Sequence, residues 1–154
     1  MILEPALDSQ EIKAFISEPS MWDQIAQDNQ DPDNFGLDDT GFWLKATENN
    51  ELIGMLGFYQ LQGIKVEFHP CILKQHRKEH AIEAINKAID YAFDIEKIQK
   101  VNVIIPFSHE NVHNFALKVG FQDEGVNKQS FLKNGIIYNQ WYMGMTRGDY
   151  ERSS

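Results

Sequence analysis

The sequence predicts an α/β (α+β) fold, one mixed sheet with helices on both faces, in the order β-α-α-β-β-β-α-β-α-β-β. Three observations carry that expectation. The stretch His76 to Phe93 places Ile82, Ile85, Ile89 and Phe93 on one stripe, as a long amphipathic helix requires. Val101 to Pro106 is a short run rich in β-branched residues with no alternation, typical of a strand covered on both faces. Asn134-Gly135 sits between two β-rich runs, a strong two-residue hairpin signal.

The remaining elements follow in chain order. Ile2 to Ala6 is a first strand. Ile12, Phe15 and Ile16, at i, i+3, i+4 spacing, mark a helix that Ser9 can cap. Ser20 to Gln27 is a second short helix with Trp22 and Ile25 on one face. Asp28 to Thr40, rich in Asp and Asn with Pro32 and Gly36, reads as a surface loop. Phe42 to Thr47 and Leu52 to Gln60 form strands joined by an Asn49-Asn50 turn. Ile64 to Leu73 is a strand in which Pro70 must break or bulge the pairing, because proline has no N–H to give. After the long helix and the 101–106 strand, Asn111 to Val119 is a helix stopped by Gly120. Phe121 to Leu132 and Ile136 to Met145 close the order. Residues 1–146 form a single domain and residues 147–154 a polar C-terminal tail.

Composition narrows the class. A chain of 154 residues holds one ordinary core, and 42% hydrophobic with 24% charged residues are globular proportions. No apolar run approaches the roughly 20 residues of a membrane span, and Met1-Ile2-Leu3-Glu4-Pro5 lacks the pattern of a signal peptide. The lone Cys71 excludes an intramolecular disulfide and fits the cytoplasm. A formal net charge of −9 argues against nonspecific nucleic-acid binding, which needs a cationic face. The same charge suits a cationic acceptor such as an amine, and equally serves solubility.

The segment Asn111 to Phe121, continuing through Gln122-Asp123-Glu124-Gly125, supplies the sharpest motif: Asn at the helix start, Gly-Phe nine residues on, Glu-Gly just beyond. It resembles the last block of the GNAT acyl-CoA N-acyltransferases, and the element order is also theirs. The resemblance covers the chain from Gly41 onward, with residues 1–40 matching in layout only. It implies acetyl-CoA as substrate, its pantetheine lying where the strands before and after the long helix part. Its pyrophosphate would sit on the N-terminus of that helix, where free N–H groups and the positive end of the dipole attract phosphate.

The family's phosphate loop, Gln/Arg-x-x-Gly-x-Gly/Ala, has a glycine-free counterpart in Lys74-Gln75-His76-Arg77-Lys78-Glu79-His80-Ala81. Two registers fit. Arg77 can lead, which puts His80 and Ile82 at the glycines. Alternatively His76 leads, with Glu79 at the first glycine and Ala81 at the permitted alanine. The second register also aligns Glu83-Ala84 and Tyr91-Ala92-Phe93 with the subgroup that acetylates ribosomal-protein N-termini, and we prefer it. The resemblance therefore implies Ile72, Leu73, His76, Arg77, Lys78 and Ala81 around the cofactor, and Asn111 at the pantetheine. Asn111 can equally be a first-turn polar residue in a helix capped by Ser108. Many members carry a tyrosine acid four residues before the Gly-Phe; here that position is Ala116, which has no proton to donate, and Tyr138 and Tyr142 lie farther on. Glu67 and His69, alternating on the strand before the long helix, are the candidate general bases for an acceptor amine. Trp22, Trp43 and the 28–40 loop are candidates to shape the amine's pocket.

His76-Arg77-Lys78-Glu79-His80 also matches H-x-x-E-H, an inverted zinc-peptidase signature. The other elements belong to a different fold, so no metal is expected. Glu67-Phe68-His69-Pro70-Cys71-Ile72-Leu73, Ile105-Pro106 and the closing Met143-Gly144-Met145 are further similar to phage-encoded GNAT-like proteins, some of them head-assembly proteins. Two functions follow. One is N-acetyl transfer from acetyl-CoA to an amine, on a small molecule or a protein N-terminus, without nucleic acid or membrane. The other is a non-catalytic module that binds phage structural proteins, placed in the host cytoplasm or the virion.

Overall fold

A computed structural model describes residues 1–34, Leu37 and residues 41–153; residues 35, 36 and 38–40 of the expected surface loop lie outside them. The chain runs β1 (Ile2–Pro5), α1 (Ser9–Ser17), α2 (Pro19–Ile25), β2 (Phe42–Glu48), β3 (Glu51–Gln62), β4 (Lys65–Ile72), α3 (Arg77–Asp94), β5 (Lys100–Pro106), α4 (Glu110–Val119), β6 (Gln122–Lys133), β7 (Ile136–Thr146) and α5 (Arg147–Ser153). One seven-stranded sheet holds them in the order β1-β2-β3-β4-β5-β7-β6. The expected mixed fold is therefore present, with one further helix at its end.

The sheet is antiparallel except where β4 meets β5, and there the ladder is short. Lys65, Val66 and Glu67 pair with Lys100, Val101 and Asn102, and beyond those pairs the two strands are not joined. Pro70 explains part of this. The Leu73 N–H bonds the Ile53 carbonyl at 3.0 Å, and alternation makes Met55/Cys71 and Gly57/His69 the bonded pairs of the β3–β4 ladder. Pro70, opposite Leu56, thus turns its missing N–H away from β3 and toward the gap. The β3–β4 register runs past it without a shift, so the expected break falls only on the β5 side.

Each face of the sheet has its own core. The main one joins Leu44, Ile53, Phe58, Phe68 and Val101 to Ala81, Ala84, Ile85, Ala88, Ile89, Ala92 and Phe93 of α3, with Ala116 of α4 in the same cluster. Small residues along α3 let it lie close to the sheet, while Ile82, expected on the buried stripe, is 50% exposed. On the opposite face Ile12, Ile16 and Met21 of α1 and α2 cover Trp43, Met55 and Cys71.

Local chemistry sets the ends of the elements. α1 is capped by Asp8 rather than Ser9, its carboxylate accepting from Gln10 N–H at 2.9 Å and Glu11 N–H at 3.4 Å. Gly120, at φ 118°, ends α4 in the left-handed region that glycine enters without strain. Asn49 and Asn50, both at positive φ, turn the β2–β3 hairpin, and Asn134-Gly135 turns β6 into β7.

The segment expected as a polar tail is α5, docked under the end of α3. Arg147 donates from Nη2 to the carbonyls of Phe93 at 2.9 Å and Ile95 at 3.1 Å, and from Nε to Ile98 at 3.0 Å. Tyr150 stacks on Phe93 at 4.6 Å and donates its hydroxyl to Asp90 at 2.7 Å. A guanidinium is suited to carbonyls left unpaired at a helix end. Arg147→Ala should lower unfolding stability by about 1–3 kcal/mol, the range for losing hydrogen bonds to a charged donor, read from urea denaturation.

Candidate active site

The parting of β4 and β5 leaves a wedge that is narrow at Glu67 and Asn102 and open toward the C-terminal ends of both strands. Backbone groups of Phe68, Pro70 and Ile72 face into it, and α3 and α4 start on either side of its mouth. That arrangement is what the family resemblance implies for pantetheine. Asn102, at the narrow end, is itself buried and tied down: its amide donates to the Met143 carbonyl at 3.2 Å and to Glu124 at 3.4 Å.

Glu67 and His69 stand together beside the wedge on the face covered by α1 and α2. Strand alternation puts both on one side, and His69 Nε2 lies 2.5 Å from Glu67 Oε2. Glu67 is the more buried of the two. Tyr59, in register with Glu67, meets the His69 ring edge-on at 4.7 Å, and Trp43 meets Tyr59 edge-on at 6.0 Å. Gly57 makes this layer possible: a Cβ there would lie 2.6 Å from the Trp43 indole. Sequence reading named Trp43 but missed Tyr59, whose placement depends on the β3–β4 register. Trp22 packs against the same buried cluster. Ile104 and Tyr142 are paired across β5 and β7 and carry this face on past the wedge.

Cys71, the next residue on that face, is closed off. Burial pushes its thiol up to about 12, with Arg77 acting weakly in the other direction, so the thiolate needed for nucleophilic chemistry does not form near neutral pH.

The residues expected around the cofactor fall at the mouth. Lys74–His76 form a single 3-10 turn leading into α3, and no side chain caps the helix start. Lys78 is exposed, whereas Ala81 is buried in the core beneath the first turn. Ile72 is buried and Leu73 packs partly against the α1–α2 core. Asn111 is exposed in the first turn of α4. Ser108 does not cap that helix: His109 holds the capping position without a side-chain bond, and Ser108 Oγ meets His109 Nδ1 at 2.9 Å.

Two of the candidates are engaged elsewhere. His76 Nε2 is 3.1 Å from Glu51 Oε1 on the β2–β3 hairpin. Arg77 donates from Nε to the Ile72 carbonyl at 3.1 Å and from Nη2 to Oε1 of Gln24 in α2. His109 lies beside the Gln24 backbone; burial above all, then the Lys133 and Arg77 cations, pulls its pKa below the usual imidazole value. Within the H-x-x-E-H segment, Glu79 is 83% exposed, while His80 gathers with Glu48 and Glu83, their ligand-type atoms within 4.8 Å of one another. The Met1 ammonium lies 2.8 Å from Glu48 and 3.9 Å from Glu83, so a cation already sits against that cluster.

A roof covers the site on the α2 side. Lys133 donates to the Ala26 carbonyl at 2.9 Å, and Gln27 Oε1 accepts from Leu132 N–H at 2.9 Å. Asp28 accepts the N–H groups of Asn134 at 3.0 Å and Gly135 at 2.8 Å, which holds its carboxyl below the usual range. The end of α2 is thereby fastened to the tip of the β6–β7 hairpin.

The model of the acetyltransferase (GNAT) domain matches residues 4–122. The chain belongs to the GNAT acetyltransferase family. It is similar to the uncharacterised N-acetyltransferase YoaA of Bacillus subtilis (strain 168), 30% identical over 99 residues that make up 62% of this chain and 56% of that protein. The match thus spans little more than half of that relative. Among solved structures, the spermidine N-acetyltransferase of Vibrio cholerae in complex with CoA and spermine aligns over 97% of both chains at TM-score 0.81 and 18% identity. A point mutant of the Vibrio cholerae spermidine N-acetyltransferase aligns over 100% of both chains at TM-score 0.83 and 19% identity. At such identities the likeness is one of fold. No described helix of this GNAT chain is long and apolar enough to cross a membrane.

Cys71 offers a direct check on the closed α1–α2 face. In the folded protein it should stay unmodified by iodoacetamide at pH 8 and react only after denaturant is added, as followed by mass spectrometry.

Proposed function

We propose that this chain is an acetyl-CoA-dependent N-acetyltransferase acting in the cytoplasm on an amine. The observation that carries the reading is the Glu67–His69 pair, held 2.5 Å apart on the strand that borders the β4–β5 wedge. Family membership supports acyl transfer, and the CoA in the Vibrio cholerae structure supports the same thioester.

An amine arrives protonated and cannot attack until it loses that proton. Glu67, oriented by its bond to His69, is placed to take it directly or through water, with His69 able to pass it on. The freed nitrogen then attacks the thioester carbonyl. A C–N bond forms, the C–S bond breaks, the nitrogen gives up its second proton to solvent to become the amide, and the thiolate leaves and takes a proton from solvent. Ala116 is buried and has no proton to give. Tyr142, paired with Ile104, lies on the Glu67–His69 face one strand beyond β5.

Lys78, Arg77, His76 and the N-terminus of α3 would hold the diphosphate, with Asn111 at the pantetheine and Ile72, Leu73 and Ala81 forming apolar walls. The net charge of −9 and the Glu67 carboxylate favour a cationic acceptor. Its source is a small molecule, with the polyamines named for the Vibrio cholerae enzyme as one class, or a protein N-terminus.

A second reading rests on one observation: in the preferred register Glu79 stands where the family's first glycine belongs, and beside it the Arg77 side chain lies on the β4 edge. In that reading the fold serves as a phage head-assembly module for phage structural proteins and turns nothing over. The two readings part on a single assay. With acetyl-CoA and a panel of amines, including spermidine and a short peptide, the enzyme reading expects time-dependent release of free CoA. Glu67→Gln should lower kcat/KM by about 100-fold or more, the usual weight of a general base, with the thermal midpoint nearly unchanged. Absence of both CoA binding and turnover at millimolar concentrations would leave the assembly reading.

A further inference from the structure

Gln24 touches both sides of the wedge mouth. Its side chain accepts from Arg77, at the start of α3, and its backbone lies beside His109, in the turn after β5. It therefore spans the gap where β4 and β5 stand apart. The Arg77 guanidinium lies along the same opening, because the Ile72 carbonyl it occupies faces the gap rather than β3.

Arg77 has five donors and no acceptor, and both of these partners are neutral oxygens. A phosphate oxygen is the stronger partner for a guanidinium, since a charge-assisted pair outweighs a neutral one. A cationic side chain parked on two dipoles beside a helix N-terminus is thus held ready for an anion and kept from it by those dipoles. The rest of α2 does not depend on this contact. Lys133, Gln27 and Asp28 fasten its end to the β6–β7 hairpin, and Met21 is buried in the core.

We propose that Gln24 is a positioning residue that sets the affinity for CoA: it latches Arg77 across the wedge mouth, and the diphosphate must draw Arg77 away for the pantetheine to enter. The proposal rests on the cofactor reading above. Binding then trades the Gln24 bond for one to phosphate, and affinity is reduced by the cost of opening the latch.

Titration calorimetry with CoA on the full chain and three variants tests this. Gln24→Ala should bind CoA about three- to tenfold more tightly than the unaltered chain, the worth of one hydrogen bond lost from the closed state. Arg77→Ala should bind more weakly. The double variant should match Arg77→Ala, because a latch has nothing to release once its bolt is gone; a merely structural effect of Gln24 would persist there. Wild-type binding with no gain in Gln24→Ala, or a gain that survives in the double variant, overturns the latch alone. No binding by any of the four at millimolar CoA overturns the cofactor reading and the latch together.

Discussion

The shape of this molecule depends on where the β4–β5 ladder stops. A parallel pair in the middle of a sheet would ordinarily bond along its whole length, since unpaired buried backbone groups are costly. Here three residue pairs suffice, and Asn102 locks the last of them by bonding across to the Met143 carbonyl. Past that point Pro70 removes one donor from the edge, and the Ile72 carbonyl is satisfied by the Arg77 side chain in place of a strand. The wedge is thus stabilised by specific substitutes for ladder bonds, so it can persist in the free protein. Everything chemical in the chain is arranged around it.

The two faces of the sheet divide the work. On the α3 side, alanines bring the helix close and leave its start free of any side-chain cap. On the α1–α2 side, the row Trp43, Gly57, His69 trades a side chain for space, so that an indole lies where a residue at 57 would stand. His69 packs edge-on against this aromatic layer, and α2 and the hairpin tip together make a roof on the same side of the sheet. The roof is polar in its fastenings, through Asp28, Gln27 and Lys133, and those bonds can open at lower cost than a hydrophobic seam.

Much of this was legible in the sequence where the signal was periodic or local. The stripe of α3, the β-branched β5 and the Asn134-Gly135 turn announce themselves because each rests on a few consecutive residues. Ile82 misled, because a period of 3.6 drifts and alanines at 81, 84, 88 and 92 carry the contact face without looking apolar enough to count. Asp8 displaced Ser9 as a cap by one position, within the ordinary uncertainty of helix ends. The α5 segment is too short and polar to show a periodic face; its place is fixed by Arg147 meeting the carbonyls at the end of α3, a tertiary event. Among site residues, Glu67 and His69 are two apart on a strand and so could be paired from spacing alone. Tyr59, Gln24 and His109 could not, since each reaches the site through register or through helix placement.

The glycine-free loop is where fold and chemistry separate. Glycines in a phosphate cradle let the backbone approach the anion, and an arginine or glutamate in that segment takes the approach away while adding a side chain that must go somewhere. In this chain the Arg77 side chain goes to the β4 edge and to Gln24, and Glu79 goes to solvent. The result is a mouth bordered by the Arg77–Gln24 bond that still carries Lys74, Arg77 and Lys78 within one helical turn of the wedge. A site that had only lost its cofactor would be under no constraint to retain cations there or an acid–imidazole pair beside the wedge. On the proposed cofactor reading, recognition of phosphate here falls to side chains rather than to backbone. Such a site gives up close backbone contact and becomes sensitive to whatever holds its arginine.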